Sequence, residues 1–274
     1  MNQNITYITS QLADIYTPEE ARELAFWVLE ETTGLSRADI LARKGTQNIS
    51  NIEIILQRLR KKEPIQYIFG HTLWYGLDLL VTQDTLIPRP ETAELVDLIL
   101  KKMPADKPLS VLDIGTGTGA IALALKSKRP NWHISALDIS AAALDVARKN
   151  AARNKLDVNF IQADILSPFN FHHPSPFNCI VSNPPYICES EKVSMESNVL
   201  DYEPASALFV PDDAPLLFYR RIAELKMGKN LFFEINSRFG TEVAELLRDS
   251  QYKDVNIYKD IYGKERMVSG RIEA

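Results

Sequence analysis

Hydrophobic positions change their spacing twice along the chain. Up to about residue 70 they recur at helical intervals: Ala21, Leu24, Ala25, Val28 and Leu29 form one stripe, and Ile52, Ile55, Leu56 and Leu59 form another. Thr17-Pro18-Glu19-Glu20 precedes the first stripe. Its threonine oxygen can accept from a free backbone N–H, its glutamate can reach back, and proline takes the first helical position; Gly34 ends the run. Ser36-Arg37-Ala38-Asp39 opens a short second helix, and Ser50-Asn51-Ile52-Glu53 repeats the capping arrangement before the second stripe. The stripes predict a small core of helices, too short a section to stand alone. Residues 71–82 then read as two short strands turning near Gly76. In Leu86-Ile87-Pro88-Arg89-Pro90-Glu91-Thr92, two prolines in three residues stiffen the chain, and Pro90 or Glu91 can open a helix.

From Leu109 onward, apolar strand-like runs (109–114, 133–138, 158–162, 177–182 and 230–235) alternate with helical stretches (119–128, 140–153, 214–226 and 240–250). Such alternation predicts an α/β fold in which helices cover both faces of a parallel, Rossmann-like sheet. Residues 254–272 predict two further strands around Tyr262-Gly263-Lys264. The expected organisation is a helical domain over 1–70, a β-hairpin linker over 71–86 and an α/β domain over 87–274.

Composition narrows the range of activities. Of 274 residues, 45% are hydrophobic and 24% charged, as in soluble globular proteins, and no apolar run is long enough to span a bilayer. The first residues, Met1-Asn2-Gln3-Asn4, show no basic segment and no apolar signal core, so a cytoplasmic, non-membrane protein is expected, taken as a monomer. Cys179 and Cys188 fit neither a zinc site nor a disulfide framework. No metal is expected, since the four histidines show no ligand spacing and the His172-His173 pair reads as a solvated loop. A net charge of −5 argues against direct nucleic-acid binding, which usually needs a basic excess.

Two motifs carry candidate chemistry. Val111 to Ile121 reads as strand, glycine turn and helix, with Asp113 ahead of Gly115-Thr116-Gly117-Thr118-Gly119. Glycines let a ligand approach the backbone, and the helix start offers unpaired N–H groups. The spacing is G-x-G-x-G, whereas dinucleotide sites usually show G-x-G-x-x-G. Asp138 ends the next strand, where a carboxylate can accept from both ribose hydroxyls of a nucleoside cofactor, NAD or S-adenosylmethionine alike. Asp164-Ile165 ends the third strand, placed to meet an adenine amine and to pack on its ring. The second motif, Asn183-Pro184-Pro185-Tyr186, leaves the C-terminal end of the fourth strand, where open α/β sheets bind ligands. A planar –NH2 is a poor nucleophile because its lone pair is delocalised. The Asn183 side-chain oxygen and the Pro184 carbonyl can accept its two hydrogens, and Tyr186 can stack on its flat face, so that orientation and preorganised electrostatics do the work.

The glycine loop resembles the first motif of class I methyltransferases, and Asn183-Pro184-Pro185-Tyr186 is similar to the motif of amino methyltransferases acting on adenine, guanine N2 and glutamine. Further stretches resemble the peptide chain release factor N5-glutamine methyltransferases: Glu63 to Gly70, Trp74 to Leu77, Leu86 to Thr92, Glu203-Pro204, Tyr219-Arg220, Lys259-Asp260 and Arg266 to Gly270. The resemblance implies S-adenosylmethionine as methyl donor, with S-adenosylhomocysteine as product. It implies the glutamine of the Gly-Gly-Gln motif of class 1 release factors as acceptor, docked by the helical section. Asn183, Pro184, Pro185 and Tyr186 would hold the acceptor amide, and Asp113, the 115–119 loop, Asp138, Asp164, Ile165 and Asn183 the cofactor. Arg89 and Glu91 either line the mouth of the site or form a buried ion pair at the domain junction. Two positions depart from the family pattern: Glu234-Ile235-Asn236-Ser237-Arg238-Phe239 where relatives often read Glu-x-Gly-x-x-Gln, and Ile165, aromatic in some relatives. The alternative reading is N6-adenine or N2-guanine methylation of nucleic acid. A nicotinamide dehydrogenase or a non-catalytic nucleotide-binding module is disfavoured by the glycine spacing and the intact Asn-Pro-Pro-Tyr.

Overall fold

The computed structural model describes residues 3–42, 51–168 and 176–272. The His172-His173 pair and Ser50 lie outside these residues. The chain divides into two compact units, Met1–Gly70 with Glu196–Tyr202, and His71–Met195 with Glu203–Ala274.

The first unit is helical: α1 (Gln3–Leu12), α2 (Pro18–Thr33), α3 (Arg37–Ala42), α4 (Ile52–Arg60), α5 (Ile65–Phe69) and the returning helix Ser197–Tyr202, α9 in chain order. The Thr17 hydroxyl accepts from the Glu20 amide, the Thr17 amide donates to the Glu20 carboxylate at 3.0 Å, and Gly34 ends α2 in the left-handed region with φ 66°. Asn51 flanks α4 in the left-handed region and makes no side-chain cap bond, while Ser50, the residue expected to supply the cap, lies outside the described residues. Ala21, Ala25, Val28 and Leu29 of α2 meet Ile55, Leu56 and Leu59 of α4 and Ile5, Ile8 and Leu12 of α1 in one apolar cluster.

The second unit opens with the hairpin β1 (His71–Trp74) and β2 (Leu77–Leu80), then α6 (Pro90–Lys102), β3 (Ser110–Ile114), α7 (Ala120–Lys128), β4 (His133–Asp138), α8 (Ala141–Arg153), β5 (Asn159–Gln162) and β6 (Phe177–Ser182). There follow the two-residue strands β7 (Ile187–Cys188) and β8 (Phe209–Val210), then α10 (Leu217–Leu225), β9 (Gly228–Glu234), α11 (Gly240–Asp249), β10 (Lys253–Lys259) and β11 (Glu265–Arg271). Seven strands form one sheet in the order β10-β11-β9-β6-β3-β4-β5. β3, β4, β5, β6 and β9 run parallel, while β11 is antiparallel to β9 and β10 to β11. The α/β class with helices on both faces is therefore as expected. Alternate residues feed opposite cores: Val111, Val181 and Phe232 pack with α6 and α7, and Leu112, Ile180 and Leu231 with α10 and α11.

Asn150 of α8, fully buried, ties the hairpin to the glycine loop. Its Nδ2 donates to the carbonyls of Leu80 (3.0 Å) and Thr118 (2.9 Å), and its Oδ1 accepts from the Leu80 amide at 2.6 Å.

Candidate active site

Parallel strands end on one edge of the sheet, and the loops leaving β3, β4, β5 and β6 enclose a cavity of about 290 Å³. Gly115, Gly117, Asp138, Asp164, Ile165, Asn183, Pro184 and Pro185 line it. Asp84, Thr85 and Leu86 close one side, Pro204, Ser206 and Ala207 another, and Phe218 and Ile222 of α10 add an apolar wall.

Gly115 and Gly117 hold φ +73° and +54°, and a Cβ on either would meet nothing within 4 Å. The cradle above the loop is thus open, and only a missing side chain keeps it so without strain. Asp138 already spends its carboxylate on two backbone amides, Gly117 on Oδ2 and Ser140 on Oδ1, each at 2.9 Å. Asp164 accepts from the Ser167 hydroxyl at 2.7 Å and the Leu166 amide at 2.9 Å, and these bonds hold its carboxyl below the usual range.

Several residues expected at the site stand behind its wall. Asp113 accepts from the Thr116 hydroxyl at 2.6 Å and the Ala122 amide at 3.3 Å through Oδ2, while its buried Oδ1 has no partner. Burial, assisted by the charge of Asp138, pushes the Asp113 carboxyl up to about 7 against the bonds from Thr116 and Ala122. Thr118 is 3% exposed and gives its carbonyl to Asn150. Gly119 faces α8, where a Cβ would come within 3.2 Å of the Ala147 Cβ. Arg89 and Glu91 are not brought together: Arg89 pairs with Glu203, and neither Arg89 nor Glu91 lines the cavity. The Arg89 carbonyl accepts from the Trp74 indole at 2.8 Å, which anchors the Pro-Arg-Pro stretch to the hairpin.

Beneath Asn183 lies a buried polar chain. Asn183 Nδ2 donates to the Thr92 hydroxyl at 3.2 Å, and Thr92 donates to Glu234 Oε2 at 2.7 Å. Tyr186, expected to stack on substrate, instead turns its hydroxyl to Glu234 Oε1 at 3.1 Å and packs among the apolar residues beneath α10. Its hydroxyl pKa is raised by burial and by the Glu234 charge. Glu234 is 1% exposed, and burial pushes its carboxyl up against the pull of Thr92, Tyr186 and Arg266. Tyr219 donates to the Glu234 carbonyl at 3.0 Å. No local pattern points to Thr92 and Glu234 as supports of Asn183, although Thr92 closes a stretch that resembles the family, while Glu234 opens one that departs from it. The departure at Asn236 has a structural use: its Nδ2 donates to the Tyr186 carbonyl (3.2 Å) and to Glu191 (3.1 Å).

Residues 3–70 match the PrmC N-terminal domain and residues 94–201 the Methyltransferase small domain. The chain is 45% identical to the release factor glutamine methyltransferase of Bacteroides thetaiotaomicron, over 98% of this chain and 99% of that one. The chain belongs to the release factor glutamine methyltransferase family. A second member, from Flavobacterium psychrophilum, is 42% identical over 96% of each chain. Among solved structures, the catalytic domain of hMettl16 superimposes with a TM-score of 0.57 at 14% identity, covering 73% of this chain and 77% of that one, a likeness of fold. Among the described residues no helix is long and apolar enough to cross a membrane, and no cluster of three or more His, Cys, Asp or Glu could hold a metal ion.

Proposed function

We propose that this chain transfers a methyl group from S-adenosylmethionine to the side-chain amide nitrogen of the glutamine in the Gly-Gly-Gln motif of class 1 release factors, with the helical unit docking the protein substrate. The observation that carries the reading is that Asn183, Pro184 and Pro185 line the same cavity as Gly115, Gly117, Asp138 and Asp164. The residues fit the cofactor. The open cradle over Gly115 and Gly117 suits its methionine portion, the unpartnered Asp113 oxygen leaves negative polarity behind that loop for an ammonium group, and Ile165, Phe218 and Ile222 offer an apolar slot for adenine. Asp138, at the end of β4 on the same cavity, would accept from the ribose hydroxyls.

When bound, the cofactor supplies an electrophilic methyl group. The chain's own task is to make an amide nitrogen nucleophilic. Asn183 Oδ1 accepts one hydrogen of the glutamine –NH2 and the Pro184 carbonyl accepts the other, which concentrates electron density on nitrogen and aims its lone pair. Pro184 and Pro185 fix the backbone that presents these acceptors. No strong base is required, because the nitrogen sheds one proton to water after the N–C bond has formed. Tyr186 supports the loop through Glu234.

The test combines a variant with product mapping. Purified chain, S-adenosylmethionine and an unmethylated class 1 release factor should give one added methyl on the Gly-Gly-Gln glutamine by peptide mass spectrometry. Asn183→Ala should abolish transfer, by at least about 10²-fold, while calorimetry still detects cofactor binding. Full turnover in Asn183→Ala, or methyl incorporation into DNA or RNA in place of the release factor, would sink the reading.

A further inference from the structure

An asparagine serves as an acceptor only when its amide is held the right way round. Its two ends are nearly the same shape, so hydrogen-bond partners decide which one faces outward. Beneath Asn183 the proton count decides. The Thr92 hydroxyl, 4% exposed, has one hydrogen and gives it to Glu234 Oε2 at 2.7 Å. The other Glu234 oxygen receives the Tyr186 hydroxyl at 3.1 Å. A carboxylate that accepts from two hydroxyls has no hydrogen to return. Thr92 then has only lone pairs left for Asn183, and it accepts from Nδ2 at 3.2 Å.

We propose that Glu234, acting through Thr92, is the positioning group that fixes the Asn183 amide with Oδ1 toward the substrate nitrogen. This rests on the reading of Asn183 as an acceptor for the glutamine –NH2. The ends of the relay are far apart in sequence, Thr92 on α6 and Glu234 at the end of β9, 142 residues apart. Neither group touches substrate, and their effect is on orientation. Were Glu234 to take up a proton, one of its oxygens would become a donor. Thr92 could then turn its hydrogen to Asn183, and the amide could present Nδ2 to a substrate that also offers hydrogens. Two donors would face each other, and the nitrogen would lose its acceptor.

The charged surroundings favour the ionised form from one side and oppose it from another. Arg266 of β11 favours it, itself 3.4 Å from Asp260, while Glu91 of α6 opposes it. Tyr186 and Tyr219 approach as neutral hydroxyls, one on the carboxylate and one on the backbone carbonyl. Transfer therefore declines as pH falls through the Glu234 titration.

The experiment uses the full chain with S-adenosylmethionine and a release factor, comparing Thr92→Val, Thr92→Ser, Glu234→Gln and Asn183→Ala by single-turnover rate, KM and cofactor affinity. Thr92→Val should lower the rate by about 10- to 100-fold, with KM and cofactor Kd within about twofold. Thr92→Ser, which keeps the hydroxyl, should stay within about threefold of the parent. Glu234→Gln, whose amide can donate or accept, should lose rate as Thr92→Val does and lack the acid limb of the pH profile. A parental rate in Thr92→Val with an inactive Asn183→Ala would overturn the relay and leave the acceptor reading standing. An active Asn183→Ala would remove the acceptor reading itself. If Thr92→Val shows no cofactor-dependent rise in melting temperature, Glu234→Gln decides, and a parental rate there with the acid limb retained overturns the proposal.

Discussion

Arg89 pairs with Glu203, 114 residues away, and not with Glu91 two residues along. The same carboxylate accepts from the Ile87 amide at 3.4 Å. The Glu203 side chain is 1% exposed, whereas Arg89 keeps about a third of its side chain in water. Leu86 and Pro204, close neighbours of the pair in sequence, both line the cavity, so the ion pair ties two of its walls together.

Removing Arg89 strands a buried charge with one weak amide partner. Arg89→Ala should therefore cost roughly 2–4 kcal/mol in urea unfolding, the lower end reflecting the exposed guanidinium. It should also weaken cofactor binding in calorimetry, because the walls lose their tie. Unchanged stability together with unchanged affinity would mean that the pair holds nothing.

Asp113 gives the cofactor-free protein a pH dependence. Its folded pKa, about 7, lies above the ordinary value of 3.8. The stability it contributes is therefore complete below about pH 4 and is lost as pH rises through about 7. For a group buried this fully, the difference between the two limits is on the order of 4 kcal/mol. Thermal melts between pH 5 and pH 8 should show this decline with rising pH, and Asp113→Asn should flatten it. An equally steep decline in Asp113→Asn would assign the effect to another group.

Asn236 stands where relatives often carry glycine, and restoring the glycine should loosen the loop after Tyr186. Asn236→Gly removes the bonds to the Tyr186 carbonyl and Glu191 and the one its Oδ1 accepts from the Arg238 amide. The expected cost is about 1–2 kcal/mol, a fall in Tm of roughly 2–8 °C, with little change in the rate of methyl transfer. A rate loss as large as that of Asn183→Ala would place Asn236 in the chemistry.

Local pattern makes the fold legible. The alternation around Val111 and Leu112, the glycine loop and the run up to Val181 are enough to place the strand ends and therefore the cavity. The helix Gln3–Leu12 is also within reach, since Ile5, Ile8 and Leu12 recur at helical spacing. β7 and β8 are not, because two residues each carry no period. Within the site, the cavity-lining Gly115, Gly117, Asp138, Asp164, Ile165, Asn183, Pro184 and Pro185 are visible as strand-end residues. Their supports are not. Thr92 and Glu234, Arg89 and Glu203, and Asn150 and Leu80 are partners across 70 or more residues, and no local periodicity encodes which polar side chain meets which. Tyr186 shows the same limit: its aromatic ring suggests stacking, while its hydroxyl is claimed by a carboxylate on another strand.

Asn150 has one further consequence. Its single amide group serves the Leu80 amide and carbonyl and the Thr118 carbonyl at once. The hairpin cannot peel away from α8 without stripping the glycine loop of a bond, and the loop cannot lift without loosening the hairpin. The two segments open as one cooperative unit. A ligand resting on the glycine loop thereby slows solvent exchange of amide hydrogens in a strand it never touches.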